Sequence, residues 1–177
     1  GLQSLNANTT GNENVAVGNY ALYSNTTAHD NTAVGNRALF TNTTGTGNAA
    51  LGYYALNVNT GANNTAVGHF AMRLTTTGGN NTAIGKSALY ANTTAQGGVA
   101  IGKGALQANT TGSYNTAIGN VAMLANTTGG SNVSMGTESL NANTTGSYNV
   151  AIGLNAMRLN TTASNNTAVG NQALEMN

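Results

Sequence analysis

No cysteine, proline or tryptophan occurs in this chain of 177 residues, and only five Lys or Arg and four Asp or Glu side chains carry formal charge. The missing cysteines exclude disulfide frameworks and zinc clusters. Charged residues are 5% of the chain, against roughly a quarter in ordinary globular domains. A net charge of +1 leaves no electrostatic footprint for nucleic acid or for an anionic membrane surface. No apolar run approaches the ~20 residues needed to span a bilayer, so no membrane insertion is expected in this segment. Aliphatic content is nonetheless too high for the charged composition of disordered chains.

What is present is a period. Gly1, Gly18, Gly35, Gly52, Gly68, Gly85, Gly102, Gly119, Gly136, Gly153 and Gly170 recur every 17 residues, except for one interval of 16 between Gly52 and Gly68. That interval is short because Asn59-Thr60-Gly61 stands where other copies read Asn-Thr-Thr-Gly. With the glycine as position 1, the consensus is G-x-x-A-L-x-x-N-T-T-G-x-x-N-T-A-V/I. Position 5 is Leu or Met in every copy, position 8 is Asn except at Thr75, and position 14 is Asn except at Gly98. A disordered Asn/Thr/Gly tract would have no reason to hold Leu or Met at one position throughout.

A strict short period signals a solenoid, in which each copy is one coil stabilised by stacking. Seventeen residues are too few for a helix pair, and Val, Ile, Thr and Tyr favour strands. The expectation is an all-β parallel β-solenoid of about ten 17-residue coils, one repeat domain over 1–177 with a partial coil at Gly170. The chain starts and stops inside the pattern, as a piece of a longer array would. Each coil is expected to hold two strands, at positions 15–17 and 4–7, closed by turns at Asn-Thr-Thr-Gly and at the marker glycine. At a spacing of ~4.8 Å, ten coils make a rod roughly 48 Å long. Strand alternation then places Leu/Met at position 5 and Val/Ile at 17 inside, and the Ala of positions 4 and 16 outside. Two outer Ala stripes would let another chain approach closely; the alternative is a flattened coil in which both faces see its own core.

The motifs "NTAIG", "NTAVG" and "NVAIG", each followed two residues on by Ala, resemble the "SVAIG" repeats in the heads of YadA-like trimeric autotransporter adhesins. The "NTAVG…AL…NTTG" array is also similar to repeat arrays of phage-type tail-fibre proteins. The resemblance covers the whole chain. It implies a left-handed parallel β-roll associated about a three-fold axis, and a structural or adhesive fibre segment in an extracellular setting, on a cell surface or virion. It also implies that Val17, Val34, Leu51, Val67, Ile84, Ile101, Ile118, Met135, Ile152 and Val169 fill the roll interior. These coils are longer than the adhesin repeat, and the extra length lies in Asn-Thr-Thr-Gly.

No reaction is legible. Glu13, Asp30, Glu138 and Glu175 lie on distant coils, so no pair is placed for acid–base work. His29 and His69 lack partners for a triad or a metal site. No enzymatic activity, cofactor or metal is expected. Position 3 of four successive coils reads Tyr20, Arg37, Tyr54 and Phe70, with Tyr23, Phe40, Arg73 and Tyr90 at position 6. Planar faces beside guanidinium donors suit sugar rings, so a cell-surface glycan is the candidate ligand; the alternative is that these rings stack on one another or cover a subunit seam. His69, Lys86 and Lys103 form a short basic row at position 2, which suits an acidic polysaccharide or is a solvated edge. Eight Asn-Thr-Thr runs at position 8 are formal glycosylation acceptors, although amides stacked in a ladder are better used on each other. Thr-Thr columns at positions 9 and 10 raise an ice-binding solenoid as a further class, and exposed coil ends raise a filament that stacks end to end.

Overall fold

The computed structural model describes residues 1–176. It contains ten three-residue strands: β1 (Val15–Val17), β2 (Thr32–Val34), β3 (Ala49–Leu51), β4 (Thr65–Val67), β5 (Thr82–Ile84), β6 (Val99–Ile101), β7 (Thr116–Ile118), β8 (Val133–Met135), β9 (Val150–Ile152) and β10 (Thr167–Val169). They form one parallel sheet in chain order, with Ala16 opposite Ala33, Ala33 opposite Ala50 and so on up the stack. The chain is thus a parallel β-solenoid of about nine turns, with no helix among the described residues. The 16-residue coil keeps this register, pairing Ala50 with Ala66. Its lost residue is absorbed at the turn. In a regular coil the amides of Thr127, Thr128 and Gly129 all donate to the Thr144 carbonyl; in the short one Thr60 and Gly61 share the Thr76 carbonyl. The Asn59 side chain also accepts from the Gly61 amide at 3.2 Å.

The second expected strand, at positions 4–7, is a run of turns. Positions 3 and 5 are left-handed in coil after coil, as at Tyr20 (φ 58°), Leu22 (φ 50°), Arg37 (φ 54°) and Leu39 (φ 50°). A left-handed leucine costs roughly 1–2 kcal/mol, and the coil geometry holds it there. Its amides divide their work. Leu22 and Ser24 donate to Ala38 and Phe40 of the next coil, while Ala21 and Asn25 donate to Gly18 and Leu22 of their own. The curled backbone turns two consecutive side chains inward, so Ala21 and Leu22 are both fully buried, which an extended strand cannot do.

That curl overturns the expected facing of the sheet. The position-16 alanines point inward: Ala33, Ala66, Ala83, Ala100 and Ala117 have no exposed surface. So do Ala21, Ala38, Ala55, Ala71 and Ala88 at position 4. No Ala stripe lies outside. The residues expected inside lie outside instead: Val17, Leu51, Ile84, Ile118, Met135, Ile152 and Val169 are exposed, and Val34, Val67 and Ile101 are half-buried. The physical reason is thinness. Position 16 of one coil faces position 4 of the next across a single layer, so only a small side chain fits between them. One coil displays the contact chemically: Ser134 and Ser139 replace both alanines, and their buried hydroxyls hydrogen-bond to each other. Leu or Met at position 5 fills the core beside these alanines, from Leu22 through Met157, and reaches position 14, where a Cβ on Gly98 would lie 3.8 Å from Leu89 Cδ2.

Asparagine lines the rest of the interior. At position 14 each side chain ties two coils together: Asn132 Nδ2 donates to the Gly146 carbonyl at 2.9 Å, and its Oδ1 accepts from the Asn149 amide at 2.9 Å. At position 8, Asn126 Nδ2 donates to Asn109 Oδ1 at 2.8 Å and Asn143 Nδ2 to Asn126 Oδ1 at 2.8 Å. Each of these amides also donates to the carbonyl three residues on, Gly129 or Gly146. Buried amides are thereby compensated without charge, as burial requires. The glycosylation acceptors Asn25, Asn42, Asn92, Asn109, Asn126, Asn143 and Asn160 are all buried. The marker glycine serves the closest approach. Gly85 has φ +134°, and a Cβ there would sit 2.6 Å from the Gly102 carbonyl oxygen.

Candidate functional site

The corner that follows each strand carries positions 2, 3 and 6, and there the sequence-expected residues Tyr20, Arg37, Tyr54 and Phe70 meet. The left-handed backbone at position 3 raises these side chains onto a common edge. The Arg37 guanidinium carbon lies 5.5 Å from the Tyr20 ring, 5.2 Å from Phe40 and 5.4 Å from Tyr54, and its Nη1 donates to the Tyr54 hydroxyl at 2.8 Å. Arg73 repeats the arrangement one step along. It lies 5.3 Å from the Tyr54 ring, 5.0 Å from Phe70 and 6.0 Å from Tyr90, and donates to the Tyr90 hydroxyl at 3.0 Å. Tyr54 is therefore packed between two guanidinium groups. Such contacts contribute about 0.5–2 kcal/mol each, depending on desolvation.

Tyr23 stacks on Phe40 at 5.2 Å, and Tyr53 stacks on His69 at 5.2 Å with the rings 10° from parallel. Tyr53 was missed by the position-3 pattern because it sits at position 2, next to Tyr54. The doubled Tyr-Tyr was the signal available for it. Tyr53 and His69 are exposed, as are Lys86 and Lys103 further along the same edge, while the arginines and the other rings are half-buried.

No protein-family model, curated protein or solved structure matches this chain.

The acidic residues do not all lie on distant coils as expected: Glu13 and Asp30 share position 13 of successive coils, and Glu138 and Glu175 both flank Arg158. His29 lies 2.7 Å from the Asp30 carboxylate. That hydrogen bond from His29 holds Asp30 below the ordinary carboxylate range. Arg158 pairs with Glu138 at 2.8 Å and lies 3.8 Å from Glu175. Among the described residues no group of three or more His, Asp or Glu side chains gathers as a metal site would require. The position-9 hydroxyls are also engaged: Thr9, Thr76, Thr127 and Thr144 each donate to the position-9 carbonyl one coil on, at 3.0 Å.

Proposed function

We propose that the chain is a non-enzymatic segment of an extracellular fibre, a left-handed stiff rod of which three copies associate through their sheets. The observation that carries this is the outward face of β1–β10. Positions 15 and 17 there hold Thr, Val, Ile, Leu, Met and Ala and no charged residue. Ten strands at about 4.8 Å, with two outward columns about 6.6 Å apart, make an uncharged, largely apolar strip of roughly 300 Å². That is the size of the largest patch on an ordinary monomer, and such patches mark contact surfaces. The seam accordingly moves from the Ala stripes to the Val/Ile columns. The fold has the flatness and repetition a shaft needs, and backbone hydrogen bonds tie every coil to the next.

Light scattering over a concentration series tests this. A constant mass of three times 17.7 kDa, reduced to one chain by Ile118→Glu, is the expected result. A monomer at every concentration refutes the seam, and mass that grows without limit replaces it with end-to-end stacking.

The same face favours one other reading. Thr32, Thr65, Thr82, Thr116 and Thr167 stand beside Val or Ile in register on a regular sheet, whereas the position-9 hydroxyls are engaged along the stack. An ice-binding surface would therefore lie on the sheet. A stable monomer with thermal hysteresis, abolished by Ile118→Glu, would establish it.

A further inference from the structure

Charge is scarce in this chain, and it is segregated. Between residues 31 and 137 there is no Asp or Glu, yet Arg37, Arg73, Lys86 and Lys103 lie there, four of the five Lys and Arg side chains. All four, with His69, occupy positions 2, 3 and 6, the edge described above. Neither arginine has a carboxylate partner among the described residues; the ion pairs found are those of His29 and Arg158. Arg73 Nε is buried and makes no hydrogen bond.

The fold itself supplies the control. On the coils that start at Gly136, Gly153 and Gly170, the same positions 3 and 6 carry Glu138, Arg158 and Glu175, and there the guanidinium is neutralised within the chain. Coil stacking therefore accommodates a paired arginine at these positions. Leaving Arg37 and Arg73 unpaired, between aromatic rings whose faces attract cations, keeps their charge available for an external anion.

We propose that this edge binds an acidic polysaccharide along the rod axis. Arg37, His69, Arg73, Lys86 and Lys103 would face its carboxylate or sulfate groups, and the exposed Tyr53 ring would stack on the apolar face of a sugar. Charged groups at the coil spacing match a chain ligand rather than a compact one. The coils from Gly35 to Gly102 span four intervals of about 4.8 Å, enough for several sugar rings. Guanidinium groups bind carboxylate and sulfate through paired donors. The site lies within one chain, so the assignment is independent of how the sheets associate.

The test is binding of the intact chain to immobilised hyaluronan, heparin and neutral dextran at about 50 mM salt, where surface electrostatics are little screened. Binding to hyaluronan assigns carboxylate as the anion, and binding to heparin alone assigns sulfate. In either case the R37Q/R73Q double variant is expected to weaken it about tenfold or more, and Y53A about threefold. Melting of Y53A should shift only slightly, because its loss is confined to packing on His69, Tyr54 and Phe70 at the surface; should the arginine variant fail to fold, Y53A and K86Q, both at exposed positions, carry the test. Three results overturn the proposal. They are no binding to either acidic polymer, equal binding to dextran, and binding that Y53A leaves untouched while K86Q/K103Q abolishes it, which is diffuse charge attraction.

Discussion

Thr75 is the one residue other than asparagine at position 8 among the described residues, and it permits a quantitative test of what the position-8 ladder contributes. Thr75 is fully buried and its hydroxyl has no hydrogen-bond partner. Beside it, Asn92 Nδ2 reaches only the Ala95 carbonyl at 3.4 Å, and Asn92 Oδ1 is unpaired. Thr75→Asn would supply an acceptor for Asn92 Nδ2 and would remove the orphaned hydroxyl; Asn59 Oδ1 already accepts from the Gly61 amide and from Asn64 Nδ2. One net hydrogen bond and the relief of one unsatisfied buried hydroxyl, at about 1 kcal/mol each, give a stabilisation of about 2 kcal/mol. For a chain of this size that raises Tm by about 4–8 °C. Asn126→Thr is the reverse change in an intact stretch. It removes the bonds to Asn109 Oδ1 and from Asn143 Nδ2 and buries unpaired atoms, a loss of about 3 kcal/mol or 6–12 °C. Thermal melts followed by far-UV circular dichroism measure both. No gain from Thr75→Asn together with no loss from Asn126→Thr would refute the claim that the ladder stabilises the coil.

Three further outcomes are expected. Ser134→Ala and Ser139→Ala each cost about 1 kcal/mol, while the double variant returns to within about 1 kcal/mol of the parent because it recreates the Ala–Ala contact of other coils; a double-mutant cycle reads the coupling. Gly85→Ala meets the Gly102 carbonyl and a backbone conformation that alanine rarely adopts, so denaturant melts should show a loss of at least about 2 kcal/mol. Asp30 should titrate below the ordinary carboxylate range by NMR and move back toward it in His29→Asn. Because its folded value is lowered, its pairing supports the fold above the ordinary carboxylate value and is lost as pH falls through the lowered one.

The period, the coil length and the strand at positions 15–17 were legible because they depend on spacing and residue type. Asn8, Asn14 and their copies could be read as ladders for the same reason. The facing of the sheet could not be read from hydrophobicity, since Val and Ile ordinarily outrank Ala for burial. What decides it is the thickness of the coil, a tertiary quantity set by left-handed leucines at position 5. Leucine is a poor signal for that conformation, so Leu22 and Leu39 looked like strand residues. One clue was present: Ser134 and Ser139 depart from Ala together, five residues apart, as two residues sharing one buried contact would. The edge was half legible. Tyr20, Arg37, Tyr54 and Phe70 recur at one position, but their joining with the basic row depends on where the corner places positions 2, 3 and 6.

The inward alanine is the feature on which the rest depends, because it is what leaves Val and Ile to form the outer face. Ala100→Leu tests it most directly. Ala100 is fully buried and, with Ala105, holds the positions that Ser134 and Ser139 hold in contact one coil pair on, so three added carbons have nowhere to go. Overpacking of this kind costs about 1–3 kcal/mol or more, so the variant should lose at least that much on denaturant unfolding, or fail to reach the parent circular dichroism spectrum. A variant with the parent spectrum and a stability within about 0.5 kcal/mol of the parent, as surface substitutions usually give, would place the alanines outside and contradict the account.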